Sequence, residues 1–258
     1  MKIGLIGAGA IANFLLTEIN QNNHKKLQIT SVFVRNKEKY QALEEEFGIT
    51  LFTDLDHFLD SDIDIVAEAA TVEAAENLLP KIIKKKDLVL ISIGALVDET
   101  ILKETIQLAE THQHTIHLPS GAIGGLDLLQ NAQTMNTVDR VLLTTRKPAD
   151  SLTDEKLERE KTIFEGTAKD AIKQFPKNIN VSIVLSLAGL GIEKTNVRII
   201  ADPELEQNIH QVEITGDFGE AKFEFKNNPL PSNPKTSYLA AVSVLGTLER
   251  LGQSIKIG

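Results

Sequence analysis

The chain has 258 residues, with 27 Lys and Arg against 36 Asp and Glu, a formal charge of −9, and 42% hydrophobic and 24% charged residues. This is the balance of a soluble globular protein of one large domain or two modest ones, and its acidity argues against a general nucleic-acid backbone binder. With no cysteine it has no disulfide, thiolate metal site or cysteine nucleophile, and no apolar run nears the ~18 residues of a membrane span. Met1-Lys2 lead directly into a strand-like run with no signal-peptide pattern, so a cytoplasmic protein is expected.

Residues 2–6 predict a first strand that ends at Gly7-Ala8-Gly9-Ala10-Ile11-Ala12. A helix follows with Ile11, Phe14, Leu15 and Ile19 on one face, until Asn20-Gln21-Asn22-Asn23 breaks it. Residues 27–34 read as a second strand and 37–47 as a charged helix closed by Gly48. Continuous apolar runs at 63–69 and 88–93 fit strands covered on both faces. Between them Val72, Ala75, Leu78, Leu79, Ile82 and Ile83 form a helix stripe with Pro80 as a point of kinking. A helix over 98–111 and a short strand at 115–118 continue the alternation, which predicts an α/β doubly wound parallel sheet over residues 1–118.

After Pro119 the pattern changes. Strands are expected at 138–146, 195–201, 211–215 and 222–225, with Gly216-Asp217-Phe218-Gly219 as a hairpin connection. Residues 160–175 place Ile163, Phe164, Ala168, Ala171, Ile172 and Phe175 on one helical face. Pro229, Pro231 and Pro234 read as a rigid connector before a last helix at 237–251. The expectation is a second, α+β domain over 119–236 with a largely antiparallel sheet, and a final helix that returns to the first domain.

The Gly7-x-Gly9-x-x-Ala12 turn joins a strand to a helix. Its first glycine permits the tight turn, its second lets a pyrophosphate approach the backbone, and Ala12 lets helix and strand pack closely. The helix start at Ala10, Ile11 and Ala12 offers N–H groups to phosphates. A ligand-free tight turn has the same pattern, but the alternation that follows favours a dinucleotide. About 20 residues on, where an acid would read the ribose, the chain has Arg35-Asn36-Lys37. These cations suit a 2′-phosphate, and a solvated loop is the plain alternative, so NAD and NADP both stay open.

Four further segments follow in order: Pro119-Ser120-Gly121-Ala122-Ile123-Gly124-Gly125-Leu126-Asp127, Phe175-Pro176-Lys177-Asn178-Ile179-Asn180-Val181, Ala201-Asp202-Pro203 with Asn208-Ile209-His210, and Asn233-Pro234-Lys235-Thr236-Ser237. With the glycine turn, this ordered set resembles the L-aspartate dehydrogenase family over essentially the whole chain. The resemblance implies a Rossmann domain and a dimer-forming α+β domain, active as a homodimer or higher homo-oligomer. It implies His210 as catalytic proton donor and acceptor, and Ala122 and Asn180 as positions that contact NAD(P). The implied reaction oxidises L-aspartate to iminosuccinate, which hydrolyses to oxaloacetate and ammonia and feeds quinolinate and NAD synthesis.

Read apart from that family, His210 titrates near neutrality, as proton handling in amine oxidation requires. Its polar Glu206-Gln207-Asn208 approach suits a site rim, and equally a half-exposed surface histidine. Lys235 is a candidate partner for a substrate carboxylate, with Thr236 and Ser120 beside it as substrate-binding candidates. Thr236 and Ser237 also suit ordinary helix capping. His112, His114 and His117 straddle a helix end and a strand start, so no metal site is expected. Glu68, at a strand end, is a minor candidate for cofactor contact. The competing readings are a dehydrogenase of another small amino or oxo acid, and an NAD(P) sensor without turnover.

Overall fold

The computed structural model describes residues 1–175 and 180–255. Strands β1 (Lys2–Ile6), β2 (Gln28–Phe33), β3 (Thr50–Phe52), β4 (Ile65–Glu68), β5 (Asp87–Leu90) and β6 (Ile116–His117) form one parallel sheet in the order β3-β2-β1-β4-β5-β6. On central β1, Ile3 and Leu5 are fully buried in a cluster that includes Leu15 and Leu16 of α1 (Ala10–Leu16). A Cβ on the alternate residue, Gly4, would collide with Ile63 and with Phe58 of α4 (Leu55–Leu59). Both faces of the sheet are therefore covered, which is why its strands read as unbroken apolar runs.

α1 passes into a π-helical turn, Thr17–Gln21. There the Asn20 side chain donates to the carbonyls of Ile29 and Phe47 and accepts from the Ile29 N–H, so this helix breaker fastens β2 to the next helical segment. The helix expected over 37–47 is two pieces, α2 (Lys37–Tyr40) and α3 (Ala42–Phe47), and Gly48 ends the second at φ 63°. The residues of β3 and α4 carried no sequence signal, being too short to display a period. α5 (Val72–Ile82) holds Pro80 within it, and α6 (Glu99–His112) starts on Asp98, whose carboxylate accepts from the N–H groups of Thr100 and Ile101.

The chain divides into two compact units, Met1–Pro119 together with the segment from Ala241, and Ser120–Ala240. The last helix, α10 (Tyr238–Leu251), contributes Val244 and Leu248 to the same buried cluster as β1 and α1.

In the second unit, α7 (Leu126–Gln133) precedes β7 (Val138–Pro148), and β8 (Lys161–Thr167) runs into α8 (Ala168–Gln174). Next come α9 (Asn180–Ala188), β9 (Asn196–Asp202), β10 (Asn208–Gly216) and β11 (Gly219–Asn227). The sheet order is β11-β10-β7-β9-β8, with β7 and β9 parallel and the other pairs antiparallel. The α/β class, with a doubly wound parallel sheet and a second α+β part, matches the expectation from sequence.

Three local expectations are corrected. Residues 161–167 are a strand, not the first half of a helix. Thr162, Ile163, Phe164 and Thr167 favour extended backbone, a bulge between Thr162 and Phe164 adjusts the register on β9, and Thr167 then caps α8. A short apolar run fits either period, and here pairing with β9 decides. The proline segment is a small hairpin of β12 (Pro229–Leu230) and β13 (Asn233–Ser237). His210 lies inside β10, not ahead of a strand, and is only 4% exposed.

Candidate active site

The parallel sheet reverses its strand order between β1 and β4, and in such sheets ligands bind outside the carboxyl ends of the strands at that point. Gly7 follows β1 at φ 101°, and a Cβ there would lie 2.7 Å from the Ala69 carbonyl oxygen of the loop after β4. Gly9 differs: a Cβ would meet nothing within 4 Å, and its backbone is extended. It caps α1 without a side-chain hydrogen bond, and the first turn holds no acid. The turn Gly7–Ala12 thus presents open space and uncapped N–H groups to an anion, the fit that a dinucleotide pyrophosphate needs. Ala12 is fully buried between helix and strand, while Ala10 and Ile11 are half-buried.

Arg35 and Asn36 are exposed after β2. Asn36 caps α2, its Oδ1 accepting from the Lys39 N–H, so its carbonyl oxygen is already engaged. Glu68 is 1% exposed, and its carboxylate turns inward. Oε1 accepts from the Ala70 N–H and the Ser92 hydroxyl, and Oε2 from the Ser92 N–H. Desolvation raises its pKa, while these hydrogen bonds act in the opposite sense. Glu68 therefore ties together the loops after β4 and β5.

In the second unit, residues 120–125 form a loop seated on β11. Asn227, itself buried, donates from Nδ2 to the Ala122 carbonyl at 3.0 Å. A Cβ on Gly125 (φ 77°) would collide with the Phe223 ring, and one on Gly124 would touch Phe225. Phe225 is also the strand partner of His210, so β11 brings the Ala122 loop and His210 to one region. Ser120 is half-buried at the start of this loop.

His210 pairs with Thr145 across β10 and β7, and Thr145 Oγ1 lies 3.0 Å from Nδ1 in a buried hydrogen bond. Nδ1 is thus engaged by the scaffold, which leaves Nε2 for proton exchange. Burial, reinforced by the Lys147 cation, pushes the imidazole down to about 3, so its resting form is neutral and able to accept a proton. Burial likewise pushes Lys147 down to about 8. Thr145 and Lys147 were not singled out from the sequence. The available signal was their i, i+2 spacing on β7, on the face that carries Val141 and Leu143.

Other sequence candidates stand apart from this group in the described contacts. Asn180 is exposed at the first residue of α9, and Pro176, Lys177, Asn178 and Ile179 of its segment lie outside the described residues. Lys235 is exposed on β13, and the Thr236 hydroxyl accepts from Asn233 Nδ2. Thr236 and Ser237 belong to that strand and not to the start of α10. His114 bonds the Ile83 carbonyl through Nδ1, and His112 is exposed.

A family model described as homoserine dehydrogenase, NAD binding domain, matches residues 7–119, and one described as aspartate dehydrogenase, C-terminal, matches 127–251. Over its full length the chain is 40% identical to L-aspartate dehydrogenase of Methanopyrus kandleri, covering 98% of that protein. It is 36% identical to L-aspartate dehydrogenase of Methanocaldococcus jannaschii, covering 99% of it. Aspartate dehydrogenase of Thermotoga maritima superposes with a TM-score of 0.82 at 31% identity, over 100% of this chain and 99% of that one. A Lactobacillus casei scyllo-inositol dehydrogenase solved with NAD(H) and scyllo-inositol has a TM-score of 0.59 at 12% identity, covering 100% of this chain and 91% of its own, which is a likeness of fold alone. On this full-length similarity, the chain belongs to the L-aspartate dehydrogenase family of NAD(P)-dependent amino-acid dehydrogenases.

Proposed function

We propose that the protein oxidises L-aspartate to iminosuccinate, which water converts to oxaloacetate and ammonia, with NAD or NADP as oxidant. The observation that carries this reading is the buried His210, neutral and oriented through Nδ1 by Thr145, in a chain of this family. A bound nicotinamide would supply the hydride acceptor for the substrate carbon. The residues of Gly7–Ala12 are the phosphate-binding positions, and Ala122 and Asn180 are the further cofactor-contacting positions that the family resemblance implies. His210 Nε2 takes the proton that the substrate amine must lose, and returns one as water adds to the imine. Ser120, Lys235 and Thr236 serve the substrate.

Arg35 beside the ribose favours NADP or use of both cofactors; Arg35→Ala then weakens NADP more than NAD. The active form is a homodimer or larger homo-oligomer in the cytoplasm, and the imine supplies quinolinate synthesis. The test supplies L-aspartate with NAD+ and with NADP+ separately and follows absorbance of the reduced cofactor, with oxaloacetate plus ammonium as the reverse assay. Turnover in neither direction with either cofactor removes the proposal.

A further inference from the structure

Lys147 stands two residues beyond Thr145 on β7, so the two side chains leave the same face of the sheet. Thr145 is the direct partner of His210, and that face therefore carries hydroxyl, imidazole and ammonium together. On its other side Lys147 pairs with Ala201 of β9.

The neighbouring cations of the sheet lie on the opposite face. Arg146 points to the opposite face, where it pairs with Glu160. Arg198 with Glu165 and Lys222 with Glu213 form further pairs on that face. Lys147 lies on the covered face, half-buried, where its charge acts on His210.

We propose that Lys147 receives a carboxylate of the substrate beside His210, and so selects an anionic amino acid. This assignment rests on the reading of the protein as an aspartate dehydrogenase. A desolvated ammonium attracts a carboxylate far more strongly than an exposed one, because little water competes for either charge. At about 8 its pKa still leaves Lys147 mostly cationic at neutral pH, and a bound carboxylate shifts it further toward the charged form. The same anion offsets the repulsion that Lys147 exerts on a protonated His210, so substrate binding readies the imidazole to hold a proton. L-aspartate has two carboxylates, so Lys147 can receive one while Lys235 stays the candidate for the other.

The experiment is titration calorimetry of succinate, a dicarboxylate with no amine to oxidise, into wild type and Lys147→Met in the presence of NADH. KM for L-aspartate and the Kd for NADH are measured alongside. Methionine keeps the length of the stem and removes a desolvated charge, so the fold is retained, and the thermal midpoint checks this. The expected result is a roughly 10- to 100-fold weaker succinate Kd and a similar rise in KM, with the NADH Kd unchanged. Lys147→Arg retains part of the affinity, which a purely steric role would not allow. Unchanged succinate affinity in Lys147→Met, no succinate binding to wild type, or a parallel loss of NADH binding overturns the assignment. Absence of aspartate turnover in wild type is read separately and counts against the proposed reaction.

Discussion

Asn227 donates a hydrogen bond to the carbonyl of Ala122, a residue 105 positions earlier in the chain, and both partners are buried. The bond seats the 120–125 loop on β11, next to the strand partner of His210. Asn227→Val retains much of the volume and leaves the carbonyl unpaired, which costs about 1–3 kcal/mol. Urea unfolding should register that loss. If the loop carries the cofactor contact proposed for Ala122, KM for the cofactor should rise together with it.

Replacing His210 separates two effects. His210→Asn should lower kcat by about 10²- to 10⁴-fold, the usual contribution of an acid–base group, while the Kd for reduced cofactor holds. A change of less than twofold in kcat would make His210 a bystander. Stability should move the other way in acid. The folded pKa, about 3, lies below the ordinary 6.5 of an unfolded histidine, so the unfolded chain takes the proton first. Stability is therefore lost as pH falls through about 6.5 and declines further toward about 3. His210→Asn should shift the acid-unfolding midpoint to lower pH.

Dicarboxylate binding should show its own pH dependence. Lys147 offers a full charge below about 8 and loses it above, so succinate affinity falls as pH rises through that value. His210 is neutral throughout this range, and Arg146 and Asp202 lie on the other face, so none of the three supplies the transition. Binding to Lys147→Met should be weak and flat across pH 7 to 9.5, as followed by calorimetry.

Glu68→Gln tests the tie between the loops after β4 and β5. The carboxylate accepts from two backbone N–H groups on its two oxygens. An amide can accept at only one end, so its NH2 must confront either Ala70 or Ser92. A loss of about 1–3 kcal/mol is expected in denaturant unfolding. Unchanged stability would mean that the loops hold their positions without the carboxylate.

The two glycines of the first turn should respond differently to alanine. Gly7→Ala meets the Ala69 carbonyl at 2.7 Å in a left-handed backbone, so it should lower the melting temperature. Gly9→Ala touches no protein atom within 4 Å and needs no unusual dihedral. It should leave the melting temperature nearly unchanged and weaken cofactor binding, since the methyl enters the space left for phosphate. Equal affinity in wild type and Gly9→Ala would place the pyrophosphate elsewhere.

The first half of the chain was legible because its signals are local. A strand buried on both faces is an apolar run, a helix end is marked by Gly48 in a left-handed conformation, and the tight turn requires Gly7. The 216–219 hairpin was visible for the same reason, with Gly219 at φ 113° closing it. Residues 161–167 misled because their apolar spacing suits a helix as well as a strand, and only pairing to β9 settles the matter. Asn20 and Glu68 were ambiguous from composition, since the same side chains cap, bind or solvate, and their partners lie on other strands.

By itself the sequence determined the alternating α/β half, the dinucleotide turn and the identity of His210 as a residue to watch, all through short-range pattern or ordered motifs. The tertiary structure decided that His210 is buried and neutral, that Thr145, 65 residues away, orients it, and that Lys147 shares its face. The physical reason is that burial and strand register arise only when β7, β10 and β11 pair, and a pKa depends on that surrounding rather than on the neighbours in sequence.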